Sequence, residues 1–454
     1  MDVGGPLWGG LEFAMREAAL FAAAGFLILG VSDLLVDLIW AGGRLGGRRR
    51  VRLEDLPSRP APGRLAVFVP AWDEAAVIGA MLRATFAAWR DADFRLYVGA
   101  YANDHATIAA VCAVSEPRLR LVTGPLPGPT TKADCLNRLW EALLADEAAE
   151  GWRAKAVVLH DAEDVVHSAE LAVFDSLIEN YQLVQLPVLP LIDPNSRWIG
   201  GHYADEFAEA HAKELVVRTA LGASLPSAGV GCAFERQALQ RVAAAAGGLP
   251  FNADSLTEDY ELGLRMACQG GRGAFVRMAS AGGLVATREY FPGTFRAAVS
   301  QKARWMTGIA LSGWDRLGWS GGLAERWMRL RDRQSLLAAL LLACGYLAMA
   351  LWLALKLREG LTGLAPAPLP PLLSTLVTVN LALLGWRLTV RAAFVARAYG
   401  LAEGLRSVPR ALVGNLVAML AAGAALTRYR AIRRGGRVRW DKTAHMFPSQ
   451  LPAE

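Results

Sequence analysis

A short apolar run that leads directly into a group of acidic residues constrains this chain more than any other stretch. Residues 156–159, Ala-Val-Val-Leu, are followed after one histidine by Asp161, Glu163 and Asp164. The run does not alternate between apolar and polar positions, which is typical of a strand buried on both faces in a parallel sheet. Ligands of open parallel sheets bind beyond the carboxyl ends of the strands. We therefore predict a Mg²⁺ or Mn²⁺ site at Asp161 and Glu163, with an acidic helix cap as the alternative.

Strand and helix patterns alternate through the middle of the chain. Apolar runs at 65–70, 94–101 and 119–122 precede the run at 156–159, and helical spacing occurs between them, for example at 75–89. This alternation predicts an α/β fold with a mainly parallel sheet, and a further strand is predicted at 183–191. Polar side chains follow the predicted strands and should converge at one edge of the sheet. They are Asp73, Glu74, Asn103, Asp104, Lys132, Asp161 and Glu163.

Apolar residues make up 54% of the chain and are concentrated near its start and after about residue 334. This distribution predicts a soluble domain anchored in a membrane rather than a transporter with many spans. Arginines cluster at 44–52 and 428–439, beside apolar segments, so retention of positive charge in the cytosol explains the net charge of +6 better than nucleic-acid binding does. The five scattered cysteines fit a reducing compartment.

The segments 18–40, 335–355 and 372–390 are long and apolar enough to span a bilayer, for which about 20 residues are needed. A fourth segment, 408–426, is nearly long enough, but a span there would leave the following arginines outside. We therefore prefer an interfacial or re-entrant helix at 408–426. The predicted order is an N-terminal anchor (1–43), a basic and proline-rich linker (44–64), a cytosolic catalytic domain (65–294), interfacial helices (295–334), a membrane region (335–427) and a basic cytosolic tail (428–454).

Two stretches of the predicted cytosolic domain suit the binding of a substrate. The loop at 225–236 contains Gly229 and Gly231, which would let a substrate approach the backbone closely. Glu258 and Asp259 follow a threonine at a predicted helix start, a position where acids usually serve only as caps.

A third stretch combines an amide, a cation and an indole. Gln301, Arg304 and Trp305 lie three and four positions apart, so they share one face of a helix. A cation beside an indole can hold a diphosphate and stack on a sugar ring. The alternative is an amphipathic helix on the membrane surface, because Trp and Arg are both interfacial residues.

As a set, these motifs resemble those of family 2 processive glycosyltransferases, the group of cellulose, chitin and hyaluronan synthases. The resemblance covers about residues 65–308 and implies a GT-A fold. The matching motifs are Pro70-Ala-Trp-Asp-Glu74, Asp161-Ala-Glu163, Thr257-Glu258-Asp259 and Gln301-Lys-Ala-Arg-Trp305. The resemblance implies that the nucleotide is held by Trp72, Glu74, Asp104 and Lys132, and that the metal and diphosphate are bound by Asp161 and Glu163. It implies that Asp259 is the catalytic base, with Glu258 and Arg304 beside it. It also implies that the substrate is contacted by Gln301, Trp305, Gly229, Gly231 and Phe234.

A closer resemblance is to the glycosyltransferase part of the phage adsorption protein B type. It rests on the Asp-Ala-Glu-Asp run at 161–164 and on Trp440-Asp-Lys-Thr-Ala-His-Met-Phe-Pro448. This type is associated with synthesis of an N-acetylmannosamine surface glycan and has a cyclic di-GMP-binding domain after the tail. Because the sequence stops at Glu454, we expect no control through that domain here. Glu163 replaces the usual second aspartate, and Asn103 stands where many relatives have an acid.

The resemblance implies an inverting, metal-dependent enzyme of the bacterial inner membrane with its catalytic domain in the cytosol. It would polymerise a UDP-sugar, such as UDP-N-acetylmannosamine or UDP-N-acetylglucosamine, into a surface exopolysaccharide and pass the product across the membrane. The implied partners are the donor, the growing polysaccharide, membrane lipids and an outer-membrane export protein, but no nucleic acid. Two alternatives stay open: transfer of one sugar to a lipid phosphate, and a catalytically inactive membrane docking or receptor component.

Overall fold

The computed structural model describes residues 4–45, 51–56, 63–280, 283–436, 440 and 442–451. Parts of the predicted linker and of the basic tail lie outside these described residues. The strands are β1 (Val51–Arg52), β2 (Leu65–Pro70), β3 (Phe94–Tyr101), β4 (Leu119–Gly124), β5 (Ala156–Leu159), β6 (Leu183–Gln185), β7 (Val188–Leu191), β8 (Cys232–Glu235), β9 (Gly273–Phe275), β10 (Met278–Ser280), β11 (Gly283–Leu284) and β12 (Thr287–Tyr290).

Helices separate most of the strands and form the last third of the chain. They are α1 (Gly4–Leu45), α2 (Ile78–Ala88), α3 (His105–Cys112), α4 (Lys132–Glu150), α5 (Glu170–Leu177), α6 (Ile199–Glu209), α7 (Leu215–Ala220), α8 (Arg236–Ala245), α9 (Glu258–Cys268), α10 (Phe295–Met306), α11 (Gly313–Leu317), α12 (Leu323–Arg333), α13 (Ser335–Thr362), α14 (Pro371–Tyr399) and α15 (Leu401–Arg433). Short 3₁₀ turns occur at Leu53–Asp55 and Pro194–Ser196, and π-helical turns at Ala210–Glu214 and Thr307–Ser312.

A seven-stranded sheet in the order β4-β3-β2-β5-β8-β6-β9 is the centre of the catalytic domain. Neighbouring strands are parallel except that β8 runs antiparallel to both β5 and β6. Every residue of β2 and β5 is buried, as their unbroken apolar runs predict. The predicted α/β fold with a mainly parallel sheet is confirmed, and the ends of β2, β3 and β5 lie at one edge.

The predicted single strand at 183–191 was wrong, because two short strands occupy this stretch. β6 belongs to the seven-stranded sheet, whereas β7 pairs with β12 in a separate sheet. Pro187, between them, has no N–H to continue a ladder. The side-chain amide of Gln185 instead donates to the carbonyls of Val230 and Gly231, at 2.9 and 3.2 Å. This bond holds the glycine loop against the end of β6.

Apolar clusters cover both faces of the central sheet. Helices α2 and α5 pack on one face, and α4, α8 and α9 pack on the other. The core is therefore a three-layered α/β/α arrangement, which fixes the strand ends rigidly. Rigid strand ends are the prerequisite for a precise site.

Four helices are long and apolar enough to cross a membrane, by length and composition: Leu7–Leu45, Ser335–Thr362, Pro371–Tyr399 and Leu401–Arg433. Helix α1 packs closely on α13 and α14, because glycines at the contacts remove side-chain bulk. A Cβ at Gly25 would collide with Leu341, and a Cβ at Gly30 would lie 2.9 Å from Leu383.

Helix α15 contacts α6 of the catalytic domain near its start and α11 near its end. Near its start, Arg410 forms an ion pair with Asp205 of α6 at 2.5 Å. Near its end, the hydroxyl of Tyr429 donates to Asp315 at 2.6 Å. Between these points α15 packs along α10, and Ala425 is fully buried there. The interfacial placement of this segment stays a prediction, and by length and composition α15 is also long and apolar enough to cross a membrane.

Candidate active site

The first wall of the site forms where β2 and β3 end. Asp73 adopts a positive φ of 55° and turns the chain away from β2. Asp104 caps α3, with one carboxylate oxygen accepting from the N–H of Thr107 at 3.2 Å and the other from the N–H of Asp73 at 2.6 Å. Trp72 lies edge-on against Tyr101, with ring centroids 5.3 Å apart. The structure thus brings together two residues, Trp72 and Asp104, that were predicted to bind uridine.

The second wall forms where β5 ends. Asp161 pairs with Lys132, the first residue of α4, at 2.5 Å. Asp164 accepts from the N–H of Asp161 at 3.0 Å and contacts Nδ1 of His160 at 2.8 Å. Burial alone would lower the pKa of His160, but Asp164 and Glu170 beside it raise the pKa to about 10. The contact between His160 and Asp164 therefore fixes the loop that contains Asp161.

The start of α9 supplies the third group of acids, Glu258 and Asp259. A Cβ at Gly229 would approach Oδ2 of Asp259 at 2.5 Å, so this glycine, with a φ of 78°, lets the backbone pass directly beside the carboxylate. Burial and the charge of Asp259 raise the pKa of Glu258 to about 7, against the effect of Lys132. Burial also raises the pKa of Asp259, and the positive charge of Lys132 opposes this rise. Lys132 therefore acts on Asp161, Glu258 and Asp259 together.

Helix α10 contributes Gln301 and Arg304 to the cavity that these strand ends surround. Oε1 of Gln301 is buried without a hydrogen-bond partner among the described residues. Arg304 is near enough to lower the pKa of Asp259. The cavity is lined by Glu74, Lys132, Asp161, Glu163, Glu289, Tyr290, Gln301, Arg304 and His445, among others.

The cavity lining does not include all of the predicted site residues. Those outside it are Trp72, Asp104, Gly229, Gly231, Phe234, Glu258, Asp259 and Trp305. Trp305 packs edge-on against Tyr203, with centroids 5.9 Å apart, beside the cavity rather than on its lining. Phe234 is fully buried in the core of the sheet, so the structure does not bring it to the cavity. Gly231 lies against the hydroxyl of Thr287, where a Cβ would collide.

Sequence reasoning missed the contribution of the tail, which folds back over the site. The N–H of Trp440 donates to the carbonyl of Thr130 at 2.8 Å. Nδ1 of His445 lies 2.9 Å from Glu74 and 3.0 Å from Glu163, and Lys442 pairs with Glu74. Burial alone would lower the pKa of His445, but Glu163 and Glu74 raise it to about 9.

Glu289, on β12, is a second residue that sequence reasoning missed. Burial raises the pKa of Glu289 well above its usual range, and the charges of Asp164, Glu163 and Asp161 add to this effect. Its position depended on the pairing of β12 with β7, which no local pattern indicates. The tail motif was visible in the sequence, but only as part of a resemblance.

The donor set fits a divalent cation. One ligand atom each from Glu74, Glu163 and His445 lies within 4.8 Å of the others. Oε2 of the buried Glu163 has no hydrogen-bond partner among the described residues. Carboxylate oxygens and imidazole nitrogen are ligands that Mn²⁺ accepts, and Mg²⁺ accepts the oxygens. Asp161 instead pairs with Lys132, so its role as a metal ligand stays a prediction.

Comparison with solved structures agrees with the fold. A mannosyltransferase from Pyrobaculum calidifontis, solved in complex with GDP-Man and Mn²⁺, matches with a TM-score of 0.51 and 18% identity. The match covers 88% of this chain and 99% of that one. At this identity the likeness shows the fold alone, which is of the GT-A type.

Comparison with known sequences identifies the family. Residues 62–308 match "Glycosyltransferase like family 2". The bacteriophage adsorption protein B of Escherichia coli K12 and the bacteriophage N4 adsorption protein B of Escherichia coli O157:H7 are each 34% identical over 471 aligned residues, which cover 96% of this chain. The chain spans 63% of the length of these relatives. The predicted resemblance to this type is confirmed, and the chain belongs to glycosyltransferase family 2.

Proposed function

We propose that the protein polymerises a UDP-sugar, with inversion at the anomeric carbon, into a surface polysaccharide and passes it across the bacterial inner membrane. An N-acetylhexosamine such as N-acetylmannosamine or N-acetylglucosamine is the proposed sugar. The observation that supports this function best is that one lysine, Lys132, interacts with acids from separate parts of the chain, Asp161, Glu258 and Asp259. A donor diphosphate and an acceptor hydroxyl would meet in the shared cavity.

In the proposed reaction, Asp259 accepts the proton of the acceptor hydroxyl as its oxygen attacks the anomeric carbon. The bond from that carbon to the phosphate oxygen breaks, and UDP leaves with the electron pair. Arg304 and Lys132 donate to the diphosphate oxygens and stabilise their growing charge. A divalent cation held by Glu163, with Asp161 or Glu74, would supply further stabilisation of that charge when bound.

The uridine would lie between the ends of β2 and β3. Trp72 and Asp104 lie beside each other there. Gly229 leaves room for the acceptor beside Asp259, because its backbone runs against that carboxylate. Gln301 lines the cavity, and its buried Oε1 has no partner in the part of the chain that the structure describes, which suits a sugar hydroxyl.

The proposed arrangement in the membrane has three spans, α1, α13 and α14, with α15 lying along the membrane face of a cytosolic catalytic domain. The contacts at both ends of α15 support this arrangement. They leave the tail on the same side as the catalytic cavity, which the tail contacts through His445. An outer-membrane protein is the proposed export partner.

Membranes that contain the protein should be incubated with Mn²⁺ or Mg²⁺ and a panel of UDP-sugars, and both released UDP and product size should be measured. We expect one UDP-sugar to enter large product. Transfer of a single sugar into lipid extract would favour the non-processive alternative. The proposed activity would be contradicted if the parent membranes released no UDP with any sugar and therefore behaved like membranes of the Asp259→Asn variant.

A further inference from the structure

The cation pocket combines residues from opposite ends of the chain. Glu74 follows β2, Glu163 follows β5, and His445 lies in the tail that comes after α15. The side chain of Glu163 is only 3% exposed, and its Oε2 has no hydrogen-bond partner among the described residues. This oxygen is therefore a buried acceptor on the cavity lining that receives no hydrogen bond from the described residues.

The tail is held over this pocket by contacts on both sides of His445. On one side, the ring of Trp440 lies edge-on against Tyr101, with centroids 6.3 Å apart, and the backbone N–H of Trp440 donates to the carbonyl of Thr130. On the other side, Phe447 packs against the hydrophobic core. His445 is therefore presented to the acids by an anchored segment.

Lys442 lies where a cation is needed in the absence of a metal. Its ammonium group pairs with Glu74 and lies 3.3 Å from Nδ1 of His445. The Lys442 ammonium group faces Glu74, and Glu163 and Glu289 line the same cavity. A divalent cation would bring two positive charges to Glu74 and Glu163, so it would take the place of the Lys442 ammonium group beside Glu74.

The geometry points to His445 as a third ligand of the divalent cation, with Glu74 and Glu163, and to Lys442 as a counter-cation that leaves Glu74 when the metal binds. This inference rests on the proposed metal-dependent function. Thr443 completes the arrangement, because its hydroxyl lies 3.1 Å from Nε2 of His445. A hydrogen bond on the far ring nitrogen orients a metal-bound histidine. The tail thus acts as part of the metal site rather than only as a cover.

The ligand role is tested by pulsed electron paramagnetic resonance of Mn²⁺ bound to the full chain in detergent, with any histidine purification tag removed. We expect nitrogen-14 coupling from one directly bound imidazole in the parent protein. His445→Gln should lose this coupling and bind Mn²⁺ at least tenfold more weakly, as ligand-shell changes in metal sites do. Met446→Ala, an exposed neighbour in the same tail, is the matched control and should keep both signals.

The counter-cation role is tested at Lys442, where a substitution should strengthen Mn²⁺ binding rather than weaken it. Lys442→Met should bind Mn²⁺ about tenfold more tightly by calorimetry, because a competing positive charge has been removed. Lys356→Met, an exposed lysine at the end of α13, should leave Mn²⁺ affinity unchanged. Weaker or unchanged binding by Lys442→Met would overturn the exchange.

The two proposals fail in distinguishable ways. If the parent protein binds no Mn²⁺ in the presence of UDP, the metal dependence of the proposed function fails, and the tail inference fails with it. If the parent protein binds Mn²⁺ without nitrogen coupling and His445→Gln binds it equally well, only the ligand role of the tail is overturned. If His445→Gln does not fold, the same measurements should be made on His445→Asn and on Lys442→Met.

Discussion

Two clusters of buried and half-buried charged side chains differ in how their acids are balanced. The strand-end cluster comprises Glu74, Asp161, Glu163, Glu258, Asp259 and Glu289, and the membrane-face cluster comprises Asp205, Glu206, Glu209 and Glu403 with Lys213, Lys302, Arg391 and Arg410. Each acid of the membrane-face cluster has a cation within 4.0 Å. In the strand-end cluster, no such ion pair involves Glu258, Asp259 or Glu289 among the described residues.

The difference separates charges that hold the structure from charges that are available for chemistry. A buried ion pair contributes little net stability, but removal of one partner leaves an uncompensated buried charge and is strongly destabilising. Surplus carboxylates in a cavity have raised pKa values and attract cations, which is typical of functional sites. Substitutions in the two clusters should therefore affect different measurements.

The largest expected effect comes from Asp259→Asn in the strand-end cluster. Loss of the base should lower kcat by about 10² to 10⁴-fold, because the amide cannot accept the acceptor proton. UDP affinity and thermal stability should stay close to those of the parent, because a surplus negative charge has been removed. UDP release and calorimetry with UDP would check both points. Asp254→Asn, exposed in the preceding loop, is the control, and parent-like turnover by Asp259→Asn would refute the base assignment.

The opposite pattern is expected for Arg410→Met in the membrane-face cluster. Arg410 is fully buried between Asp205 and Glu403, so its loss leaves both acids without this partner. We expect a decrease of about 3 to 5 kcal/mol in the free energy of unfolding, measured by thermal or denaturant unfolding in detergent. Arg406→Met is the matched control, because Arg406 pairs with the same Glu403 but its side chain is 42% exposed. Equal loss of stability in the two variants would remove the distinction between buried and exposed partners.

Gly229→Ala tests whether space beside Asp259 matters for catalysis. The added methyl group would lie 2.5 Å from Oδ2 of Asp259 and would displace the carboxylate or the loop. Because misplacement of a catalytic group by about 1 Å can lower the rate by about 100-fold, we expect a kcat decrease of that order. Gly222→Ala separates contact from backbone strain, because Gly222 also has a positive φ, of 67°, but nothing lies within 4 Å of its Cβ position. Equal rates for the two variants would count against the contact.

The smallest predicted effect is the shift in pH dependence for Lys132→Met, which adds to the loss of rate expected from removing a donor to the diphosphate. Lys132 lowers the pKa values of Glu258 and Asp259, so its removal should raise them. Because the base works only when ionised, the decline of kcat/KM on the acidic side should move to higher pH by about one unit. In the parent protein this decline should lie above the usual range of an aspartate, since burial raises the pKa of Asp259. A profile that stays in place would show that Lys132 does not act on the base.

Much of the site was predictable because strand order and burial follow from local patterns. The apolar runs at β2 and β5 predicted parallel strands, so the meeting of Glu74 and Asp161 at one edge followed from sheet geometry. The helical start at Lys132 was also predictable from Thr131, whose side chain accepts from the N–H of Asp134. These features depend on short segments and on a sheet that leaves few alternatives.

The rest depended on contacts between distant segments. His445 lies 371 positions from Glu74, and no periodic pattern specifies which surface a tail without regular structure will contact. The resemblance assigned Phe234 to the substrate as part of the glycine loop, but the structure places it on β8, where it fills the core. Trp305 faces other aromatic rings for a similar reason, since its helix is oriented by packing against α15.

The place of the tail in the chain has a consequence for biosynthesis. Lys442 and His445 follow all four long apolar helices, so the ribosome translates them only after those helices have been made. If His445 completes the cation pocket, a nascent polypeptide that still lacks the tail would bind the cation more weakly. The order of translation would then favour sugar transfer only after the route for the product has been synthesised.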